Sequence, residues 1–344
     1  MNIHIVFTGG TIGSSLRPDG TLAPSFDEIK NLTKGGGFTY SSPFSMLSEN
    51  MSPQRWNKLI MHIRKLNRED MDALFITHGT DTLSYTSNLL ALLCYGMKIP
   101  VFLIASNLPF HMEGSNGPAN LKAAIAMTGK GIRPGVYVPW KDPALIEPIN
   151  LRRSMWDPDA DMRDVTLFDG GKLLQAADYS ATFNGIADTK TNDLQKLAAH
   201  ARDELRKVGG VKTQFPEDDN NDMPLIDFVP SLIANILTIR PYPGIRYDAY
   251  DLSGVSAVLH GTYHSFTVSD TEEKDMSIDA FAIEAREMNI PLYLAPLASC
   301  DVPEYASTKR VLNPGNVIPL YDVSFEMAFA LLNVLFSKFE LNLQ

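Results

Sequence analysis

The sequence predicts an α/β protein with a large N-terminal domain on a parallel sheet and a smaller C-terminal α/β domain. Three observations carry this expectation. Short apolar, β-rich runs alternate with stretches of helical periodicity. Each such run ends in a glycine, proline or polar turn, as parallel strands with helical crossovers do. The alternation pauses once, at an acidic, proline-bounded segment, and then resumes.

In chain order, Ile3–Phe7 is the first expected strand and runs into a Thr-Gly-Gly turn. Ser14–Pro24 reads as a mobile loop, because it contains prolines and a Pro-Asp-Gly turn. Pro53–Leu66 is an expected helix, Ala73–Thr77 a strand and Ser84–Leu93 a helix. Val101–Ala105, Ala119–Met127 and Gly135–Val138 continue the series as strand, helix and strand. A sheet of this kind binds its ligands at the carboxyl ends of the strands. A charged, helix-like stretch, Asn192–Arg206, then leads to the acidic segment Phe215–Pro224. These features divide the chain into an N-terminal domain at 1–190, a linker at 191–227 and a smaller domain at 228–344. In the last of these, Ile233–Ile239, Val255–His260 and Pro291–Ala295 read as strands, and Ile278–Met288 and Phe325–Phe336 as helices.

Composition narrows the function classes. With 344 residues, 44% hydrophobic and 20% charged, the chain can bury a large core. That excludes disorder, collagen-like structure and coiled coil. Thirty basic against 40 acidic side chains give a net charge of −10, which argues against nucleic acid and anionic membranes as partners. Cys94 and Cys300 stand far apart, make neither a disulfide framework nor a cysteine zinc cluster, and fit a reducing compartment. The opening Met-Asn-Ile-His-Ile-Val-Phe lacks the features of a signal peptide, and no window offers the roughly twenty apolar residues of a membrane span. The expected location is the cytoplasm.

Thr8-Gly-Gly-Thr-Ile-Gly13 succeeds the first strand and invites a dinucleotide reading. It is not G-x-G-x-x-G, and the next stretch reads as a loop rather than the helix that must hold a pyrophosphate. The turn does present a hydroxyl, Thr11, among glycines whose backbone N–H groups a substrate can reach. Alone, such a threonine is more often a cap or turn residue. The second element is Ile76-Thr-His-Gly-Thr-Asp-Thr82, again at a strand end. Thr11 and Thr80 with Asp81 are thus delivered to one carboxyl edge. Hydroxyls, a carboxylate and exposed amides at one edge suit nucleophilic attack on a small amide.

With Thr-Gly-Gly-Thr-Ile-Gly and Thr-His-Gly-Thr-Asp-Thr both intact, the chain resembles the bacterial-type L-asparaginase family. Leu47-Ser-Glu-Asn-Met-Ser-Pro53, with Trp56 after it, is similar to the family's substrate-binding turn. Ser115-Asn-Gly-Pro-Ala-Asn-Leu121 and Ile318–Ala328 resemble two further family stretches. The resemblance implies a flavodoxin-like large domain, no cofactor, no metal, a small amino-acid amide as substrate, and a homodimer or homotetramer. It implies Thr11 as the nucleophile forming an acyl-enzyme, Thr80 in the activating group, and the N–H groups of both as the oxyanion hole. Asp81 is implied to hold the substrate's α-ammonium and Ser48 its α-carboxylate. Glu49, Gly79, Thr21 and His264 complete the substrate-binding positions, and the loop after Gly13 is the implied lid.

Three departures stand out. The family's lysine aligns with Arg153, or with Arg152, and a guanidinium accepts no proton near neutral pH. Arg153 is kept as a catalytic candidate that favours an alkoxide or holds Asp81; surface ion pairing is the competing reading. Thr21 stands where relatives carry a tyrosine, and Tyr263-His-Ser-Phe-Thr267 replaces a Tyr-Gly-x-Gly-Asn run. His260 and His264 are four apart, but at a strand end, which favours a structural or pocket role over a metal site. The leading expectation is an amidohydrolase acting by threonine catalysis. Its alternatives are an amino-acid-binding or sensory homologue without turnover and a nucleotide-using enzyme.

Overall fold

The computed structural model describes residues 1–33, 36–141, 165–169, 194–208, 223–297, 305–321 and 323–337. Arg152, Arg153, Cys300 and the acidic residues 217–222 lie outside the described residues. The described residues form two compact units, one reaching Val229 and the other beginning at Pro230.

The first unit is organised by strand β1 (Ile3–Val6), buried along its whole length. Its run is apolar but for His4, and nearly continuous apolar runs belong to strands covered on both faces. β1 pairs in parallel with β4 (Phe38–Ser41) on one side and β5 (Ala73–Thr77) on the other. Beyond β5 come β6 (Val101–Ile104), β7 (Val136–Lys141) and β8 (Val165–Asp169), the last antiparallel to β7. The sheet order is β4-β1-β5-β6-β7-β8. Counted over its parallel strands alone, this is the doubly wound order 2-1-3-4-5, in which the chain builds outward both ways from the β1–β5 pair. The crevice at the carboxyl ends of those two strands is the topological switch point, where such sheets bind ligands. One face packs Ile3, Ile5, Phe75, Phe102 and Ile104 into a single core. Phe75 and Phe102 meet there edge to face, with ring centroids 5.2 Å apart.

Helices α1 (Phe26–Leu32), α2 (Pro53–Arg64), α3 (Leu83–Leu93), α4 (Gly117–Gly129) and α5 (Leu194–Val208) accompany this sheet. α2 starts where the Ser52 hydroxyl accepts the Arg55 N–H and Pro53 occupies the first turn. It buries Trp56, Leu59, Ile60 and Ile63. α3 is buried at almost every position, as an apolar helix between other elements must be. Two of its polar residues are engaged by hydrogen bonds: the Trp56 indole donates to Thr86 at 3.0 Å, and the Asn88 amide donates to the Ser84 carbonyl at 2.7 Å.

The segment expected as a mobile loop is a hairpin. β2 (Ser14–Leu16) and β3 (Leu22–Pro24) pair antiparallel, with Ser14 opposite Pro24 and Leu16 opposite Leu22. Pro-Asp-Gly is the turn of this hairpin: Asp19 accepts from the Thr21 N–H at 3.0 Å and the Thr21 hydroxyl at 2.7 Å. Pro24 is tolerated because a two-stranded ribbon has only edges.

In the second unit, β9 (Ile236–Ile239), β10 (Ala257–His260), β11 (Leu292–Leu297) and β12 (Val317–Tyr321) form a parallel sheet in the order β12-β11-β10-β9. Helices α6 (Ile278–Glu287) and α7 (Ala306–Leu312) pack with it around Val258, Phe281, Leu292 and Leu294, and α8 (Phe325–Leu335) lies against β9, β10 and β11. The Ser324 hydroxyl caps α8 by accepting the Met327 N–H at 3.0 Å. The buried Glu326 carboxylate accepts from Arg240 at 2.8 Å, which satisfies a charge that burial alone would penalise. Among the described residues, no helix is long and apolar enough to cross a membrane.

Candidate functional site

Three chain segments converge beyond the carboxyl ends of β1 and β5. The two strands are tied at their ends. The Thr8 N–H donates to the Thr77 hydroxyl at 3.1 Å, and the Thr8 hydroxyl donates back to the Thr77 carbonyl. The loop after β4 then runs alongside the glycine turn. Met46 N–H donates to the Thr8 carbonyl at 3.1 Å, and the Gly10 N–H donates to the Met46 carbonyl at 3.0 Å. These bonds fix the base from which the functional side chains depart: Ser48 lies just beyond Met46, Thr11 follows Gly10, and Thr80 follows Gly79.

Glycine is required where the segments touch. Gly10 has φ +84°, and a Cβ there would stand 2.4 to 2.5 Å from the His78 carbonyl and the Gly79 nitrogen. A Cβ on Gly79 would stand 2.4 Å from the Ser48 hydroxyl oxygen and 3.4 Å from the Gly10 Cα. The two turns therefore pack backbone to backbone, with Ser48 against them. Thr11, in a single 3-10 turn over Thr11–Gly13, and Thr80 are both half-buried.

Ser48 opens a second 3-10 turn, Ser48–Asn50, and is buried. Its hydroxyl donates to the Asp81 carboxylate at 3.0 Å, and the Thr82 hydroxyl donates to the Ser48 carbonyl at 2.9 Å. Asp81 itself is exposed, so its carboxylate is anchored from the protein side and open on the other. Glu49 is exposed on the same 3-10 turn. Thr11, Ser48, Glu49, Gly79, Thr80 and Asp81 thus all stand on the segments that leave the carboxyl ends of β1, β4 and β5.

The remaining sequence candidates lie on other segments of the chain. Thr21 is exposed in the hairpin turn, with its hydroxyl spent on Asp19. His264 is exposed in the second unit, in a turn where the Tyr263 N–H donates to the Thr267 carbonyl at 2.9 Å. His260 is buried at the end of β10, with one ring nitrogen 2.9 Å from the Tyr247 hydroxyl and the other 2.6 Å from the Gly261 carbonyl. Arg153 and Arg152 lie outside the described residues.

Two features escaped the sequence reading. Thr8 and Thr77, which stand at equivalent strand ends just before the two turns, form the clamp described above. Asn116 and Asn120, on the stretch read as a family likeness and the start of a helix, tie the end of β6 to the end of β7. Asn116 exchanges hydrogen bonds with Asn107 at 2.9 and 3.0 Å and donates to the Lys141 carbonyl at 2.7 Å. Asn120 donates to the Ala105 carbonyl at 2.9 Å and accepts the Lys141 N–H at 2.8 Å. Asparagine suits both positions because it donates and accepts at once.

His78 lies inside the second turn and is buried. Burial outweighs the charge of nearby Asp81 and lowers its pKa to about 4, which keeps the ring neutral near pH 7.

Comparison with known proteins bears on this arrangement. Residues 2–154 match the family model described as Asparaginase, N-terminal. The chain is 32% identical over 152 residues to the L-asparaginase of Thermococcus kodakarensis, an alignment covering 42% of this chain and 46% of that protein. It is 25% identical over 354 residues to the D subunit of the glutamyl-tRNA(Gln) amidotransferase of Metallosphaera sedula, covering 95% of this chain and 70% of that one. The chain thus spans about half the length of the first relative and more of the second. The thermostable L-asparaginase structure from Thermococcus kodakarensis superposes with TM-score 0.61 at 23% identity, over 96% of this chain and 91% of that one. L-asparaginase I from Vibrio cholerae gives 0.60 at 22%, over 100% and 94%. At these identities the two structures speak for the fold. The family match spans both glycine turns and the Ser48 segment: residues 2–154 of the chain match the asparaginase family.

Proposed function

We propose that the protein is an amidohydrolase that cleaves the side-chain amide of a small amino acid, L-asparagine foremost, through a threonine acyl-enzyme. The observation that carries this reading is the contact of the two glycine turns at the β1–β5 switch point, from which Thr11 and Thr80 emerge beside the Ser48–Asp81 pair. The Thr11 hydroxyl attacks the amide carbonyl carbon and gives up its proton, the C–N bond breaks, and ammonia leaves carrying that proton. Water then hydrolyses the ester and restores the hydroxyl. Backbone N–H groups of Thr11 and Thr80 stabilise the oxyanion, each worth about two to three orders of magnitude in rate. Asp81 receives the substrate's α-ammonium, and Ser48 its α-carboxylate. With the Ser48 hydroxyl already on Asp81, substrate binding exchanges one charge-assisted bond for two. Arg153 is the candidate for stabilising the alkoxide, and the hairpin at Ser14–Pro24 is the candidate lid. The protein acts as a cytoplasmic homo-oligomer in this reading.

The test is ammonia release from L-asparagine, L-glutamine and a small panel of amides. Turnover of one amide that vanishes in Thr11→Ala is the expected result. Full activity in Thr11→Ala, or no turnover at all, contradicts the reading.

A second reading is favoured by the alignment with the amidotransferase from Metallosphaera sedula, which runs along 95% of this chain. In it the same site hydrolyses glutamine as one component of a larger enzyme. Slow asparagine turnover and a glutamine turnover that rises with a copurifying partner distinguish it.

A further inference from the structure

His78 takes no part in the chemistry proposed above, yet it touches the peptide on which that chemistry depends. It is 1% exposed, and its Nδ1 lies 2.7 Å from the Gly79 carbonyl oxygen. A carbonyl only accepts, so Nδ1 carries the proton and Nε2 is bare. Nε2 is buried and meets no hydrogen-bond partner among the described residues. The ring is therefore held in one tautomer by one contact. Neither nitrogen suits a general base: Nδ1 is protonated and engaged, and Nε2 is sealed from solvent.

We infer that His78 is a positioning residue whose Nδ1–H holds the Gly79 carbonyl inward and thereby aims the Thr80 N–H at the oxyanion of the reacting amide. In a planar trans peptide the carbonyl of one residue and the N–H of the next point in opposite directions. With the Gly79 carbonyl turned toward the buried imidazole, the Thr80 N–H points the opposite way, away from the ring. Glycine leaves this peptide plane free to rotate, since it has no Cβ to resist. An external hold is needed, and the histidine supplies it. This inference deepens the amidohydrolase reading and rests on it.

The second unit repeats the device. His260 ends β10 as His78 follows β5, each is followed by Gly-Thr, and His260 Nδ1 lies 2.6 Å from the Gly261 carbonyl. There the next threonine is used structurally, its hydroxyl donating to the Pro296 carbonyl at 2.9 Å. A strand-end His-Gly-Thr turn that fixes the glycine carbonyl is thus locally encoded, and in the first unit it sits at the catalytic crevice.

The experiment compares His78→Asn with His78→Gln in the full chain, on the amide that the wild type hydrolyses fastest. An asparagine amide can place an N–H where Nδ1–H was; a glutamine amide reaches toward Nε2 instead. His78→Asn is expected to keep kcat within about threefold, while His78→Gln loses about 10- to 100-fold in kcat with KM changed less than threefold, because an oxyanion donor acts in the transition state. Equal loss of kcat in both variants, with circular dichroism showing both folded, overturns the inference and leaves the amidohydrolase reading standing. An inactive wild type overturns both. Should either variant fail to fold, the wild type decides: a long-range 1H–15N spectrum shows the His78 proton on Nδ1 if the inference holds, and a proton on Nε2 overturns it.

Discussion

The buried hydroxyl of Ser48 donates to the exposed carboxylate of Asp81 across 3.0 Å, joining the segment after β4 to the turn after β5. A hydrogen bond to a charged group contributes about 1.5 to 3 kcal/mol when its alternative is an unfixed side chain. Ser48→Ala is therefore expected to raise KM about 10-fold while kcat falls less, in steady-state ammonia release. Asp81→Asn removes the charge as well and is expected to raise KM by a further factor of about 10.

The two contact glycines are expected to fail differently. Gly10→Ala puts a Cβ against immovable backbone at φ +84° and is expected to cost more than about 2 kcal/mol, seen as a lowered urea midpoint or loss of soluble protein. Gly79→Ala presses on Ser48 instead: the hydroxyl can turn aside, while the Ser48 Cβ, 2.8 Å from the new methyl, has to shift with its backbone. Its expected signature is a folded protein with the raised KM of Ser48→Ala. The double variant then shows less than the sum of the two, because both break one bond.

Asn116→Asp tests the tie between β6 and β7. The change removes the donor to the Lys141 carbonyl and sets a carboxylate against that oxygen at a position 3% exposed. A loss of about 1 to 3 kcal/mol is expected from chemical denaturation, with an unchanged slope.

Acid sensitivity follows from four histidines. Burial lowers His78 and His260 to about 4 from the ordinary 6.5. His4 and His62 are also lowered, by burial first, then by His62 acting on His4 and Lys65 on His62. Their Nε2 atoms lie 2.7 and 2.6 Å from one shared hydroxyl, that of Ser41. A depressed folded pKa means that the unfolded chain binds more protons below 6.5, so stability is complete above that pH and is lost as pH falls toward 4. The unfolding midpoint is expected to drop through this window. His78→Asn is expected to reduce proton uptake on unfolding near pH 5 by about one.

The core strands were legible because β1, β5 and β6 are covered on both faces and read as apolar runs broken only by His4 and Thr77. β4 was not, since Phe38-Thr39-Tyr40-Ser41 is a short edge strand that is nowhere fully buried. The hairpin at Ser14–Pro24 was mistaken for a loop because prolines mark ribbon edges as readily as coil. Thr11, Thr80 and Asp81 stood out through their spacing from strand ends. The Ser48–Asp81 bond spans 33 residues and depends on β4 lying beside β1, which no local pattern encodes. The orientation of His78 depends likewise on burial and on a single carbonyl, neither visible in Thr-His-Gly-Thr.

The central claim is a covalent bond to one hydroxyl, and acid-quenched mass spectrometry reads it directly. Wild-type protein and Thr11→Ala are mixed with L-asparagine, quenched within milliseconds to seconds, and digested. The account predicts a peptide containing Thr11 heavier by the mass of the β-aspartyl group in the wild type, with ammonia released in step, and no adduct in the variant. An adduct on another residue, or ammonia release without dependence on Thr11, would contradict it.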